Sequence, residues 1–235
     1  MYPSIERSVS TIFDTSWNIT KGTVVPETED VVLKNGGKLL DAVYLYADLA
    51  GSSNLAQRLT REATAKIVKA YINTAARIIL FKDGAIRSFD GDRVMGIFIG
   101  ADKEERAVRA AMGIHWAVNE VIPEAIKNGF TDGKDFCNIR HAIGIDVGEA
   151  LIVRGGVRDN NDLISIGSAP NVAAKLSDLR LGPSIFITQA VADELGDDYQ
   201  TYGEARRPVW SRVHSVAPIG GRYVTVYGTS VQWER

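Results

Sequence analysis

The chain has 235 residues, with 27 Lys and Arg against 29 Asp and Glu, and is 45% hydrophobic and 24% charged, the composition of an ordinary globular domain. A formal charge of -2 excludes a nucleic-acid polymer as partner, because that footprint needs clustered surplus Lys and Arg. The lone Cys137 has no intrachain partner and His115, His141 and His214 are far apart, so neither a disulfide framework nor a Cys/His zinc site is expected. MYPSIERSVS lacks the flanks of a signal peptide and no apolar run reaches membrane-span length, so a cytoplasmic location with no membrane association is expected.

Pro3, Pro26, the acidic PETED and Gly36-Gly37 punctuate residues 1–40, which read as an arm carrying one short helix or strand; 41–235 reads as the main domain. AVYLYADLA (42–50) is a buried strand ending at a Gly-Ser-Ser turn. Residues 52–81 are helical, broken near Thr60, with Ile67, Tyr71, Thr74 and Ile78 on one face. Two strands, 85–89 and 93–100, flank Asp90-Gly91-Asp92, whose Asp-Gly is a hairpin signal.

A helix over 101–127 carries the stripe Ala107, Ala111, Ile114, Val118 and Val121, and a turn follows at Asn128 to Gly133. Residues 139–157 predict two strands bent at Gly148, and 162–168 a third. Ser168 caps the next helix, with Pro170 in its first turn and Val172, Leu176 and Leu179 marking its face up to Gly182. A strand at 184–188, a short helix near 189–195 and a strand at 222–228 complete an α+β chain with helices over a mainly antiparallel sheet.

Asp48 ends a strand and Asp92 sits at a hairpin tip, and by itself each suits turn chemistry. A strand and a neighbouring hairpin can nevertheless bring both carboxylates to one sheet edge, where two unpaired carboxylates repel unless a divalent cation lies between them. Hard oxygen ligands of that kind select Mg²⁺ or Mn²⁺. Gly51, Ser52 and Ser53 open the following helix and offer backbone N–H groups to phosphates. Asn171, with Lys175 one turn later, is a third polar position, equally compatible with a solvated helix face.

YADLAGSS, FDGD, AIGIDVGEALIV and ISIGSAPNVAAKL, in that order over residues 41–190, together resemble the catalytic domain of class III nucleotidyl cyclases. The resemblance implies a ferredoxin-like core sheet covered by helices, with 41–235 as the catalytic domain. It implies two metals per active site, held by Asp48, which bridges them, by Asp92 and by the backbone carbonyl of Leu49. One metal lowers the pKa of the ribose 3′-hydroxyl and the other grips the triphosphate, so the 3′-oxygen attacks the α-phosphorus in line and pyrophosphate departs. Asn171 positions the ribose and steadies the transition state. Metals from one protomer and asparagine from the other imply a homodimer with two interfacial sites.

Two positions that read purine bases in this family are occupied here by Ser88 and Ile164, neither of which makes those contacts. Lys175 stands where the family has a transition-state arginine, keeping the charge and losing the bidentate fork. The tryptophan of the family's Trp-Gly motif is Ile166. The arm SWNITKGTVVPETEDVVLKNGGKLLDA, with YADLAGSS, also resembles the Pycsar pyrimidine cyclases of bacterial anti-phage defence. That likeness implies cyclic UMP or cyclic CMP made with Mn²⁺, and a cyclic-nucleotide-binding effector downstream.

Tyr46, two before Asp48 on the same strand face, can shorten the pocket and stack on a small base. Arg87 carries only donors, which suits the uracil acceptors and favours UTP over CTP, although on a regular strand it points away from Ser88. A uridylate cyclase converting UTP to 3′,5′-cyclic UMP is therefore expected. A cytidylate or adenylate cyclase is the next reading, and a non-catalytic nucleotide-binding module the alternative of another class. Arg206, Arg207 and Arg222 are candidates for the triphosphate tail.

Overall fold

In the computed structural model of the protein, residues 3–131, 136, 138–214, 216–219 and 221–233 are described. Cys137 and the Gly133 end of the predicted turn lie outside the described residues.

The alternation of β2 (Gly36–Ala50) organises the molecule. Its Val43, Leu45, Ala47 and Leu49 enter one core with Ile67, Tyr71 and Ile79 of α3 (Arg61–Phe81) and Ala107, Ala111 and Ile114 of α4 (Lys103–Trp116). Its Leu40, Ala42 and Tyr44 enter another with Ala169 and Ala173 of α6 (Ser168–Ser177) on the opposite face. Successive side chains point to opposite faces of a strand, so one apolar run serves both layers.

β2 lies centrally, antiparallel to β5 (Arg140–Val157) from Gly37↔Val153 to Ala50↔Arg140 and to β4 (Arg93–Phe98) from Val43↔Phe98 to Asp48↔Arg93. β3 (Ala85–Asp90) lies outside β4. The order β5-β2-β4-β3, with α3 and α4 as crossovers, is the ferredoxin-like βαββαβ arrangement. β7 (Ile185–Thr188) extends it parallel to β5, followed by β11 (Val226–Thr229) and β10 (Ser211–Val213). β6 (Asn160–Ile166) pairs β5, and β1 (Asn18–Lys21) of the arm pairs β2 in parallel. In the arm α1 (Ile5–Asp14) precedes β1. A two-stranded β8 (Thr201–Tyr202) and β9 (Arg207–Pro208) pair stands apart. No described helix is long and apolar enough to cross a membrane.

Several boundaries differ from expectation. β2 begins at Gly36 because β5 pairs it from Gly37 onward and β1 pairs Gly36 to Leu39 on its other side. β5 is one strand running through Gly148, since pairing with β2 continues on both sides of it. The helix expected over 101–127 contains a π-helical turn at Ala117–Val121 before α5 (Ile122–Gly129), and the extra residue swings Val121 out of the stripe to 45% exposure. Gly167, not Ser168, is the N-cap of α6, which ends at Ser177. The last strand is 226–229 rather than 222–228.

α6 sits directly on the central strands because position 144 has no side chain. A Cβ built there would lie 2.1 Å from the Ala173 carbonyl oxygen and 2.6 Å from the Ser177 nitrogen. Backbone fills that space and cannot yield, so Gly144 sets the distance at which α6 presents Asn171 and Lys175.

Beneath the C-terminal end of β2, His115 and His141 are buried against each other, Nδ1 to Nε2 at 2.8 Å. Burial pulls His141 down to about 3, helped by His115 and Arg180, and lowers His115 as well. The unfolded chain therefore binds protons that the folded chain refuses between about pH 6.5 and pH 3, so this contribution is complete above 6.5 and is lost as pH falls. The melting temperature should fall between pH 7.5 and 5.5, and His141→Gln should flatten that slope in thermal melts across the window.

Candidate active site

Asp48 and Asp92 meet where β2 and the β3–β4 hairpin end together. Asp48 is opposite Arg93 in the ladder, and the next residue towards the hairpin tip is Asp92, whose carbonyl accepts from the Leu49 N–H at 3.4 Å. Asp48 is 6% exposed and Asp92 half-buried. Burial pushes the Asp48 carboxyl up, the Arg180 and Arg93 guanidiniums pull it back, and Asp92 adds a further upward push. Tyr71, wholly buried on α3, reports the same convergence, its phenol raised first by burial and then by Asp48 and Asp92.

Both oxygens of Asp48 are engaged by arginine. Arg93 Nε donates to Oδ1 at 3.4 Å, and Arg180, just after α6, donates to Oδ2. Arg93 also holds Asp178, and Lys175 Nζ lies 3.6 Å from the same carboxylate. A charge-alternating chain thus runs from the interior carboxylate to the exposed face of α6. Neither arginine was singled out in the sequence. Arg93 is legible in hindsight, since antiparallel pairing puts the residue after Asp92 opposite Asp48, whereas Arg180, 132 positions from Asp48, leaves no local signal.

The donor set suits a hard divalent cation. Burial holds the Asp48 carboxyl above its ordinary value even with two guanidiniums attached, and Asp92 lies close enough to add to that push. Among the described residues no cluster of three or more His, Cys, Asp or Glu side chains could cage a metal by itself. Two carboxylates and a carbonyl leave coordination positions for phosphate, the usual arrangement for Mg²⁺-type ions. Asp48, Asp92 and the Leu49 carbonyl are the residues that would hold it.

The other candidates divide into groups. Gly51 N-caps the seven-residue α2 (Ser52–Arg58) at φ 76, a left-handed conformation in which glycine carries no steric penalty, and Ser52 and Ser53 begin the helix beside the aspartates. Tyr46 lies half-buried, its phenol raised by burial and lowered by Arg93. Asn171 and Lys175 are exposed on α6, one turn apart, and the side-chain partners of Asp48 are Arg93 and Arg180 rather than Asn171. Ile164 is 50% exposed on β6 beside the equally open Ile166. Arg206, Arg207 and Arg222 are exposed, and none of them is among the cations on Asp48.

Ser88 pairs with Met95, while Ile86 pairs with Gly96, so Arg87 is the extra residue of a β-bulge. The bulge breaks the alternation that would have set Arg87 against Ser88. Its side chain, 10% exposed, reaches Glu27 of the arm at 3.3 Å and Asp162 of β6 at 3.7 Å. Asp146, the aspartate of the GIDVG segment, is elsewhere: it is buried, accepts from Thr188 Oγ1 at 2.6 Å and fastens β7 to β5.

No family model matches the chain. It is 41% identical over 210 residues to a uridylate cyclase of Rhodovulum sp. (strain MB263), covering 88% of each chain. It is 38% identical to a uridylate cyclase of Xanthomonas perforans over 86% of each chain, and 38% identical to one of Burkholderia cepacia over 82% of this chain and 83% of that one. Among solved structures, the guanylyl cyclase Cya2 superposes with a TM-score of 0.67 at 22% identity, covering 82% of this chain and 92% of that one. The adenylyl cyclase CyaB from P. aeruginosa gives 0.66 at 20%, covering 82% and 95%. A ferredoxin-like sheet with two aspartates at one edge, shared fold with adenylyl and guanylyl cyclases and close likeness over most of both chains place this chain in the uridylate cyclase family of class III nucleotidyl cyclases.

Proposed function

We propose that the protein converts UTP to 3′,5′-cyclic UMP and diphosphate as a homodimer, with Mn²⁺ or Mg²⁺ held by Asp48, Asp92 and the Leu49 carbonyl. The observation that carries this reading is the convergence of Asp48 and Asp92 in a chain whose relatives are uridylate cyclases. Bound divalent metal, two ions per site, would make the ribose 3′-hydroxyl easier to ionise and offset the triphosphate charge. The 3′-oxygen forms a bond to the α-phosphorus, the bond to the β-phosphate bridging oxygen breaks, and the hydroxyl proton leaves to solvent. The exposed amides of Ser52 and Ser53 donate to phosphate oxygens, since the first N–H groups of a helix lack helical partners. Asn171 and Lys175 are solvent-facing in the single chain, which suits them to reach the ribose and the departing phosphates at a partner's carboxylates. The product acts as a second messenger for a cyclic-nucleotide-binding effector in phage defence.

The same fold occurs in a class III adenylyl cyclase-like ATP-binding protein from Pseudomonas aeruginosa, with a TM-score of 0.62. Fold alone therefore does not separate catalysis from binding, and the aspartates must. With Mn²⁺ and each of the four nucleoside triphosphates supplied separately, mass analysis should find cyclic UMP as the principal product. Asp48→Ala and Asp92→Ala should abolish it while thermal melts show a folded protein; cyclisation surviving either change refutes the metal assignment.

The shared site has its own test. Asn171→Ala should lose on the order of 10²–10³ in rate. Mixing it with Asp48→Ala and allowing protomers to exchange should restore at most about a quarter of parental activity, because half the dimers then hold one intact site of two. No recovery on mixing would place Asp48 and Asn171 in the same protomer's site.

For the base, Arg87 offers donors only, matched to the two uracil carbonyls. Its bulged position removes the requirement that it face away from Ser88, and Glu27 and Asp162 fasten the guanidinium, which supports a role in reading the base. Arg87→Ala should lower kcat/KM for UTP by roughly tenfold to a hundredfold and narrow the preference over CTP in a competition assay. An unchanged preference would assign Arg87 to holding the arm.

A further inference from the structure

The two arginines on Asp48 are tethered differently. Arg93 lies in the β4 ladder opposite Asp48, which its Nε meets, and its Nη2 is taken by Asp178. Arg180 projects from the segment after α6, its side chain 46% exposed, with Nη1 donating to the carbonyls of Ser177 at 2.8 Å and Leu179 at 3.0 Å. Among the described residues Asp48 is its one carboxylate partner. A cavity of about 400 Å³ adjoins this end of the sheet, lined by Arg140, His141, Asn119 and Arg180 itself and, among the described residues, by no acidic one.

A carboxylate that receives a divalent cation holds a guanidinium on each oxygen less favourably, because the metal and the arginines are like charges gathered on one group. Arg93, fixed by its ladder position and by Asp178, has nowhere else to go. Arg180 is held from behind by two carbonyls that remain after its carboxylate is surrendered, and it borders open, cationic space.

We propose that Arg180 is a movable counter-ion and substrate-binding residue. Without metal it neutralises Asp48; when metal and nucleotide enter, it gives up the carboxylate and binds the terminal phosphates from the adjoining cavity. The exchange keeps charge balanced: a cation leaves the aspartate as the metal arrives, and an anion arrives for the cation released. This inference rests on the cyclase reading for the metal at Asp48 and for the identity of the nucleotide.

Mn²⁺ binding to the full chain without nucleotide, followed by electron paramagnetic resonance of the free ion, tests the first half without turnover. When a site is masked in most molecules, its apparent Kd exceeds the intrinsic value by the inverse of the open fraction. Arg180→Ala should therefore bind Mn²⁺ at least about fivefold more tightly than the parent, in the range of ordinary site coupling. Arg180→Gln, which keeps an N–H donor for Asp48, serves should the alanine variant fail to fold. Arg140→Ala removes the same charge from the same cavity and should tighten Mn²⁺ binding much less. Equal Mn²⁺ affinity in the Arg180 variants and the parent, or an equal gain with Arg140→Ala, overturns the counter-ion role.

The second half is read at saturating Mn²⁺. KM for UTP should rise about tenfold in Arg180→Gln, as expected for a lost charge-assisted phosphate contact, with Arg180→Lys in between. An unchanged KM overturns phosphate binding. An inactive protein that still shows the Mn²⁺ gain would count against the cyclase reading alone, and an active cyclase without that gain against this inference alone.

Discussion

A carboxylate buried to 6% exposure at the end of a central strand is costly to keep ionised, and the active edge is built around meeting that cost. Desolvation works against the Asp48 anion, and neighbouring Asp92 adds to the penalty. Arg93 across the ladder and Arg180 from beyond α6 supply the compensating charge, each with its own secondary anchor. The site is thus a balance of charges rather than a rigid cage. A balance of this kind can trade one cation for another, whereas a preformed cluster of three or more carboxylates would bind metal without reference to substrate.

The balance is communicated outwards by packing. From Val43 to Asp48, β2 runs between β4 and β5, so Asp48 cannot move without breaking ladders on both sides. α6 is pinned on the same strands where Gly144 allows helix backbone into contact. Asp178, at the C-terminal end of that helix, faces Arg93 and Lys175 together. The helix that carries Asn171 and Lys175 is therefore tied, through a single carboxylate, to one of the arginines that neutralise Asp48. Exposed pairs such as Lys175 with Asp178 contribute little stability, about 0–1 kcal/mol, so their consequence is orientation.

What was legible in the sequence follows from locality. The Asp90-Gly91-Asp92 turn, the apolar run of β2 and the Thr60 break all depend on neighbours in the chain, and the structure has each of them, with Thr60 accepting from the Ala63 N–H at 3.2 Å. The convergence of Asp48 with Asp92 was also readable, because one hairpin and one adjacent strand suffice to make it. Features set by distant chain were not. The start of β2 at Gly36 depends on β5 and β1, and the inner face of α3 drifts to Ala75 and Ile79 where Thr74 and Ile78 were expected. Arg180 was invisible for the same reason, since no spacing rule links the residues after a helix to a strand 132 positions earlier.

The bulge at Arg87 shows how one inserted residue turns a conflict into an arrangement. A regular strand would send Arg87 and Ser88 to opposite faces. The shift of register between Ile86 and Ser88 removes that requirement, and the guanidinium is then caught between Glu27 and Asp162. Those carboxylates are 79% and 70% exposed, so solvent screens them and the pairs do little for stability. Their geometry nevertheless matters: Glu27 belongs to a short capped turn of the arm, its N–H donating to Asp30 at 2.9 Å, and Asp162 belongs to the β6 hairpin, so the guanidinium is held by two elements outside its own strand. An arginine anchored only on β3 would sample many rotamers, and one held from two sides samples fewer. The arm and the β6 hairpin lie outside the βαββαβ core, and through Glu27 and Asp162 both are fastened to Arg87 of β3.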